Sequence, residues 1–422
     1  MFNKTILRNG LRVITVPEKD AQTITVLVLV GTGSKYETKD INGISHFLEH
    51  MFFKGTKKRP DTIAIAETLD RVGGIYNAFT GEEYTGYFAK VDARHLDLAL
   101  DWISDIFLNS KIDSKEVEKG KGVIIEEINM HVDNPASFVQ TLWGRLLYGD
   151  QPAGWDIAGS KETVSAMNRK KLVAYLRSQY VASNTIVCVA GKIDSSIMEK
   201  KISGYFSGVT RNPYKKKIPV TEAQKDPACL LHERKTDQSH ICLGVRGYSL
   251  FSPQKYSQEV LATILGGMMS SRLFIKVREE LGLAYYINSG ADTSTDSGFL
   301  VTQAGIDNSK IELGIKTIVN EYKRISRERV PASELKKAKD YLKGKTALLL
   351  ESSDAKASFY GMQELLEGRV LTPEEMYDKI NKVTSNDVLE VAKNLFRPEK
   401  LNLAILGPFD DKKKFSRLLS FK

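Results

Sequence analysis

Two separate segments of this 422-residue chain repeat at one offset of 216 residues. The strand-like run Thr25–Gly31 falls on Ile241–Gly247, with the terminal glycines matched. Without a gap, Leu172–Asp194 falls on Val388–Asp410, and both segments show a helical pattern followed by an apolar strand. A shared offset in separate segments is typical of an internal duplication. We therefore expect two similar halves.

Each half mixes strand and helix patterns. Ile24–Val30 is a continuous apolar run typical of a buried strand, and Asp61–Val72 has an acidic N-cap and ends at a Gly-Gly pair. This mixture predicts an α+β fold. Residues 213–226 combine prolines and lysines without apolar periodicity, which indicates a linker. The predicted halves are therefore residues 1–212 and 227–422.

Composition excludes several classes of protein. The chain is 42% hydrophobic and 27% charged, which is typical of a soluble globular protein. The formal charge of +9 lies in short clusters without interleaved aromatic residues, so we expect no nucleic-acid partner. No apolar run is long enough for a membrane span. Three scattered cysteines and an N-terminus without signal-peptide features predict a cytoplasmic protein.

The segment His46-Phe47-Leu48-Glu49-His50 carries the most specific chemistry. In a helix, positions 46, 49 and 50 lie within one turn on one face. Two imidazoles at this spacing bind one Zn²⁺, and a carboxylate between them stands over the metal-bound water. Zinc lowers the pKa of that water, and Glu49 as general base takes its proton.

The repeat separates the two halves chemically. At the 216-residue offset, the two histidines and the glutamate fall on Ala262, Leu265 and Gly266, none of which binds a metal through its side chain. We therefore expect a metal site in the first half alone.

A catalytic zinc takes three protein ligands and keeps an open position. The third ligand should come from elsewhere in the chain. The apolar helical run Val123–Met130 contains two acids, Glu126 and Glu127, and its periodicity does not choose between them.

The segments Gly33–Thr38 and Gly43–Thr56 resemble the signature of the inverzincin peptidases, the pitrilysin and insulinase superfamily. The resemblance covers nearly the whole chain and is closest to the branch of roughly 45 kDa chains that includes mitochondrial processing peptidase and its bacterial relatives. It implies a duplicated LuxS-like and processing-peptidase-like metallohydrolase fold of two α/β-sandwich halves. In that family a glutamate follows the second histidine after 76 residues, and this count ends at Glu127. His46, His50 and Glu127 would then hold one Zn²⁺ per chain.

The resemblance also implies roles for residues outside the metal motif. Gly74–Thr80 resembles the edge strand that pairs with substrate backbone, so Asn77 and Ala78 are expected to bind substrate. Arg278 and Tyr285, seven positions apart, resemble the family's pair that contacts the substrate and stabilises the oxyanion. Composition alone would place Arg278 on a helix surface and Tyr285 in a strand.

One position departs from the family pattern. Many members carry a second glutamate two helical turns before the distal ligand, where this chain has Gly120 between Lys119 and Lys121. Such a glutamate supports the metal from the outer shell, so its loss is expected to weaken metal affinity or lower the rate. Glu126 is a candidate for partial replacement.

These observations predict a zinc-dependent endopeptidase acting on unfolded peptides. By analogy with the family, we expect a clamshell dimer that encloses the substrate, either a homodimer or a heterodimer with a related chain. The alternative is a non-catalytic structural or regulatory subunit of a heteromeric processing peptidase. Such subunits usually lose the zinc motif or the Arg-Tyr pair, and this chain keeps both.

Overall fold

The computed structural model describes residues 2–421, which form two compact units. The first unit comprises the chain up to Asn129 together with Trp155–Ile218 and Ala347–Thr372. The second comprises Met130–Gly154, Pro219–Thr346 and the chain from Pro373 onward. Each unit contains one β-sheet.

The sheet of the first unit has six strands. They are β1 (Asn3–Ile6), β2 (Arg12–Pro17), β3 (Thr23–Val30), β4 (Ile75–Thr80), β5 (Thr85–Asp92) and β6 (Thr185–Gly191). Their order is β1-β2-β6-β3-β5-β4. The pairing of β2 with β6 is parallel, and the other pairs are antiparallel.

The sheet of the second unit has five strands. They are β7 (Ala228–Glu233), β8 (Gln238–Arg246), β9 (Ala284–Thr293), β10 (Gly298–Asp307) and β11 (Asn402–Gly407). Their order is β7-β11-β8-β10-β9, with β7 and β11 parallel and the other pairs antiparallel.

Helices connect the strands in both units. They are α1 (Ile44–Met51), α2 (Thr62–Asp70), α3 (Leu96–Asn109), α4 (Ser114–Asp133), α5 (Pro135–Tyr148), α6 (Lys161–Ser165), α7 (Arg169–Gln179), α8 (Ser195–Phe206), α9 (Lys255–Gly266), α10 (Ile311–Ile325), α11 (Ala332–Leu349), α12 (Ser353–Glu367), α13 (Pro373–Lys382), α14 (Ser385–Leu395) and α15 (Lys412–Ser416). In the described residues 2–421, no helix is long and apolar enough to cross a membrane.

The two sheets share one topology. Strands β2-β6-β3-β5-β4 of the first unit correspond in order and direction to β7-β11-β8-β10-β9 of the second. Helices α7 and α14 have the same length and are separated by the 216 residues of the sequence repeat. The predicted α+β fold of two similar halves is confirmed.

Each sheet is buried on both faces. In the first unit, Val26 and Val28 pack with Phe47 of α1 and Trp102 of α3 on one face. Leu27 and other residues of the opposite face pack with α12. In the second unit, the corresponding faces pack with α9 and α10 on one side and with α5 on the other.

The compact units differ from the predicted contiguous halves, 1–212 and 227–422, in two helices. α5 belongs to the second unit although it follows α4 in the chain, and α12 belongs to the first. The physical reason is that each of these helices covers an apolar face of the sheet that the other half of the sequence forms. The predicted linker, residues 213–226, contains no helix or strand.

Candidate metal centre and active site

α1 carries the metal motif on its half-buried side, opposite the core. Ile44, Phe47, Leu48 and Met51 of this helix are buried in the core of the first unit. This spacing turns the other helix face, with the two histidines and the glutamate, away from the core. The predicted helix across this motif is confirmed.

Three side-chain atoms converge beside α1. His46 Nε2 lies 3.3 Å from His50 Nε2. Glu127 Oε2, from α4, lies 3.3 Å from His50 Nε2 and 3.7 Å from His46 Nε2. Zinc–nitrogen bonds of about 2.0–2.1 Å at tetrahedral angles place neighbouring ligand atoms about 3.3–3.4 Å apart. The donor set therefore fits a zinc ion.

The orientation of α4 shows which of the two acids, Glu126 or Glu127, is placed to be the third metal ligand. Glu127 faces the histidines and forms with them a three-residue group able to hold a metal ion. Glu126 is exposed on α4 and does not belong to that group. The choice of Glu127 agrees with the family count, whereas a replacement role for Glu126 has no contact to support it.

Burial keeps the two imidazoles in the form that binds metal. Burial, with a smaller effect from the charge of His50, lowers the pKa of His46 to about 4. Burial also lowers the pKa of His50, against the opposing effect of the Glu127 charge. Both rings are therefore neutral at neutral pH, and a neutral imidazole has a free lone pair for a cation.

Glu49 stands beside the metal ligands without being one of them. Its carboxylate accepts a hydrogen bond from the hydroxyl of Thr80, at the end of β4. The pKa of Glu49 is raised to about 7 as the net result of three effects: burial raises it most, the Thr80 hydrogen bond lowers it, and the negative charge of Glu127 raises it. A carboxyl group with a pKa near neutrality is suited to accept a proton and to return it.

Thr80 is a site residue that the sequence analysis missed. The sequence contained a hint of it, because Thr80 is the last residue of the segment Gly74–Thr80, which resembles the edge strand. In the structure β4 contacts α1, which brings the Thr80 hydroxyl to the metal site. The sequence alone does not predict that contact.

β4 is the outermost strand of its sheet, as predicted. It pairs with β5 on one side, so among the described residues its other edge has no strand partner. Asn77 and Ala78 lie in the middle of this strand, and the backbone N–H of Ala78 donates to the Asn77 side chain. A free edge beside a metal centre can pair with an extended peptide.

Arg278 and Tyr285 lie together in the second unit. Arg278 belongs to a π-helical segment, Phe274–Glu280, and Tyr285 lies at the start of β9. The Arg278 guanidinium carbon is 4.8 Å from the ring centre of Phe274 and 5.7 Å from that of Tyr285. Tyr285 is 75% exposed. The pair therefore offers a cation and a phenol at the surface of its unit, and π-helical turns are frequent at functional sites.

Gly120 provides no side chain to support the metal ligands. It is buried in α4, and a Cβ at this position would meet the ring of Phe47 at 3.4 Å. The flanking lysines do not fill the site, because Lys119 pairs with Glu116 and Lys121 with Glu118 along the helix.

The second unit has no counterpart of the metal group at the repeated positions. Ala262 and Leu265 are buried in the apolar core of that unit, and Gly266 closes α9 beside Ser289. The expected asymmetry between the halves is confirmed for these positions.

Comparisons with known proteins also distinguish a first half that carries the metal site from a second half that lacks it. Residues 12–160 match the family described as "Insulinase (Peptidase family M16)", and residues 166–342 match "Peptidase M16 inactive domain". An uncharacterized zinc protease of Bacillus subtilis is 37% identical over 97% of this chain and 98% of its own length. One from Streptomyces coelicolor is 33% identical over 97% of this chain and 90% of its own.

Solved structures show the same fold. A protease from Helicobacter pylori superimposes with a TM-score of 0.91 at 22% identity, over 97% of this chain and 99% of that one. A Pseudomonas fluorescens structure titled as a peptidase M16 inactive domain gives a TM-score of 0.89 at 17% identity, over 97% and 99% of the two chains.

The fold, the His-His-Glu donor set and these relatives define the class of zinc metallopeptidases. More narrowly, the chain belongs to peptidase family M16, the insulinase family, and its cofactor is Zn²⁺.

Proposed function

We propose that this protein is a zinc-dependent endopeptidase that cleaves unfolded peptides, with His46, His50 and Glu127 as zinc ligands and Glu49 as general base. The observation that carries the proposal is the position of the Glu49 carboxyl group. It lies in the metal helix, hydrogen-bonded to the edge strand through Thr80, with a pKa raised to about 7.

The free edge of β4 supports capture of an extended chain. Backbone groups of Ile75–Thr80 on this edge are available for pairing, and Asn77 and Ala78 would lie against the bound segment. Pairing through backbone groups requires an unfolded segment and places few demands on its side chains. Thr80 links this edge to Glu49, so a bound peptide would pass next to the base.

When bound, zinc lowers the pKa of a water molecule and polarises a peptide carbonyl. Glu49 would take the proton from the attacking water and transfer it to the leaving amine. Arg278 and Tyr285 would contact the substrate and donate hydrogen bonds to the oxyanion, as in the family pattern.

A quenched fluorogenic peptide tests the assignment of the base. Glu49→Gln keeps the size of the side chain and leaves the three ligands in place. We expect it to bind zinc like the wild type and to lower kcat by about 10²–10⁴-fold. Equal rates for the two proteins at matched zinc content would contradict the assignment.

Substrate class requires a separate experiment. A polypeptide that can be kept either folded by a disulfide or unfolded by its reduction provides a matched pair of substrates. We expect cleavage of the unfolded form at several positions and no cleavage of the folded form. Comparable cleavage of both forms would argue against capture by edge pairing.

We further propose a dimer that encloses the substrate, formed with a second copy or with a related chain. The family resemblance motivates this arrangement, with Arg278 and Tyr285 supplied by the partner. A mixture of inactive Glu49→Gln and inactive Tyr285→Phe proteins should then regain part of the activity. No recovery in a mixture that forms mixed dimers by native mass measurement would show that these residues act within one chain.

A further inference from the structure

The first residues of α1 lack a cap of their own. Gly43, at the N-cap position, has φ of 92° and makes no side-chain hydrogen bond. A Cβ at this position would lie 2.6 Å from the carbonyl oxygen of Ala158, so the chain needs glycine here. Helices usually begin with Ser, Thr, Asp or Asn, whose side chain accepts from the first free N–H groups. Here another residue must do so.

Glu37 supplies the missing cap. Its Oε2 accepts from the backbone N–H of Gly43 at 2.7 Å, and its Oε1 accepts from that of Ser45 at 2.9 Å. The Asn42 side chain donates to Oε2 at 2.9 Å. Glu37 is 1% exposed. Burial raises the pKa of Glu37 to about 7, whereas the N–H groups and the helix dipole favour the charged carboxylate.

The orientation of the His46 ring is linked to this end of α1. It directly follows Ser45, and within residues 2–421 its buried Nδ1 has no hydrogen-bond partner. A metal-binding histidine is normally oriented by such a bond to its second ring nitrogen. Since His46 lacks such a bond, its direction depends on the backbone of α1, whose N–H groups at Gly43 and Ser45 donate to Glu37.

The segment that carries Glu37 also contacts the turn that follows the edge strand β4. The backbone N–H of Lys35 donates to the Glu82 carbonyl at 2.9 Å, in the turn that follows β4. A Cβ at Gly33 would lie 2.1 Å from the Gly81 carbonyl oxygen, so this contact is close enough to require glycine. Residues 33–37 thus join the turn after β4 to the first turn of α1.

We infer that Glu37 is a positioning residue for zinc binding, which holds α1 so that His46 faces the ion. The inference rests on the proposed zinc ligands and adds a residue that makes no contact with them. It accounts for the buried Glu37 in the Gly33–Thr38 motif, to which the catalytic assignment gives no role.

Zinc affinity measured by competition with a chromophoric chelator tests this inference without any cleavage assay. The variant is Glu37→Gln, which replaces one acceptor by a donor facing the N–H groups. The matched control is Glu364→Gln, a buried carboxyl group of α12 in the same unit, which pairs with Arg12 and Lys4. Thermal unfolding of both metal-free variants measures how much stability each one loses.

We expect Glu37→Gln to bind zinc about 10–100-fold more weakly than the wild type, the usual effect of losing outer-shell support. Glu364→Gln should lose stability but keep wild-type zinc affinity. Equal zinc affinity in the two variants would overturn the inference and leave Glu37 a structural cap. A wild-type protein without zinc affinity would overturn the proposed function as well.

Asn42→Ala provides a milder variant that decides the question if Glu37→Gln does not fold. It removes one donor to Glu37 and leaves the carboxylate. We expect zinc affinity about two- to tenfold weaker, the effect of one hydrogen bond. Wild-type affinity in this variant would count against the inference.

Discussion

Replacing Thr80 with valine tests how Glu49 is tuned. Valine has the shape of threonine but cannot donate the hydrogen bond that the Glu49 carboxylate accepts. That bond favours the charged carboxylate and therefore lowers the pKa of Glu49, against the larger effect of burial. Its removal must raise the pKa.

The size of this shift follows from the hydrogen bond. A hydrogen bond to a charged group contributes about 1.5–3 kcal/mol. Because one pKa unit corresponds to about 1.4 kcal/mol, the pKa of Glu49 should rise by about 1–2 units in Thr80→Val. The positive charge of bound zinc lowers the pKa of Glu49 in the wild type and in Thr80→Val alike. The difference between the two pKa values therefore stays the same.

The measurement is kcat/KM for a quenched peptide from about pH 5 to pH 9. Only the carboxylate accepts a proton, so kcat/KM rises with pH through the pKa of Glu49. The acid limb of Thr80→Val should lie about 1–2 units above that of the wild type, and the two rates should converge at high pH. Thr80→Ser, which keeps the hydroxyl, should follow the wild type.

Two results would refute this reasoning. One is an acid limb that does not move in Thr80→Val, which would mean that the limb belongs to a group other than Glu49. The other is a rate that falls by the same factor at every pH, which would indicate a displaced β4 instead of a retuned base.

Three further predictions concern the metal helix and its neighbour. Glu127→Ala should weaken zinc binding by more than about 10²-fold while Glu126→Ala leaves it unchanged, because only the first carboxylate faces the histidines; equal losses in a chelator competition would contradict the ligand set. In the double variant Glu37→Gln/Glu49→Gln, which removes the two nearby carboxyl groups with a pKa of about 7, zinc affinity should fall by less than about tenfold between pH 7 and pH 5.5, because the pKa of His46 is lowered to about 4 and protons compete for its lone pair only near that pH; a steep fall in that range would contradict it. Gly120→Ala should raise the free energy of unfolding by about 0.5–1 kcal/mol in chemical denaturation, because alanine favours helix and its Cβ meets the Phe47 ring at 3.4 Å, an ordinary contact; a loss of stability would show that the position cannot accept a side chain.

Much of the site could be predicted because its chemistry is local. His46, Glu49 and His50 lie within one helical turn, so their spacing in the sequence already places them on one face. The strand and helix patterns of the 216-residue repeat predicted two similar α+β halves, whereas the strand order they share came from the structure. The choice of Glu127 as third ligand required the resemblance to the family, since helical periodicity does not distinguish it from the adjacent Glu126.

The remaining features depend on contacts between distant segments. Thr80 contacts Glu49 from another element, and Glu37 caps a helix that begins seven residues later, at Ile44. The placement of α5 and α12 in opposite units depends on which apolar sheet face each helix covers, and amphipathic patterns do not name a partner. The π-helical turn at Arg278 is a deviation of one hydrogen-bond register that helical periodicity does not predict.

Titration of zinc into metal-free protein, with bound zinc and peptide cleavage followed together, tests the central claim most directly. We predict that cleavage rises in proportion to bound zinc and saturates at one ion per chain. Under the same conditions, Glu49→Gln should bind the same amount of zinc without cleaving. Cleavage that persists in the metal-free protein, or full zinc loading of the wild type without cleavage of any unfolded peptide, would contradict the account.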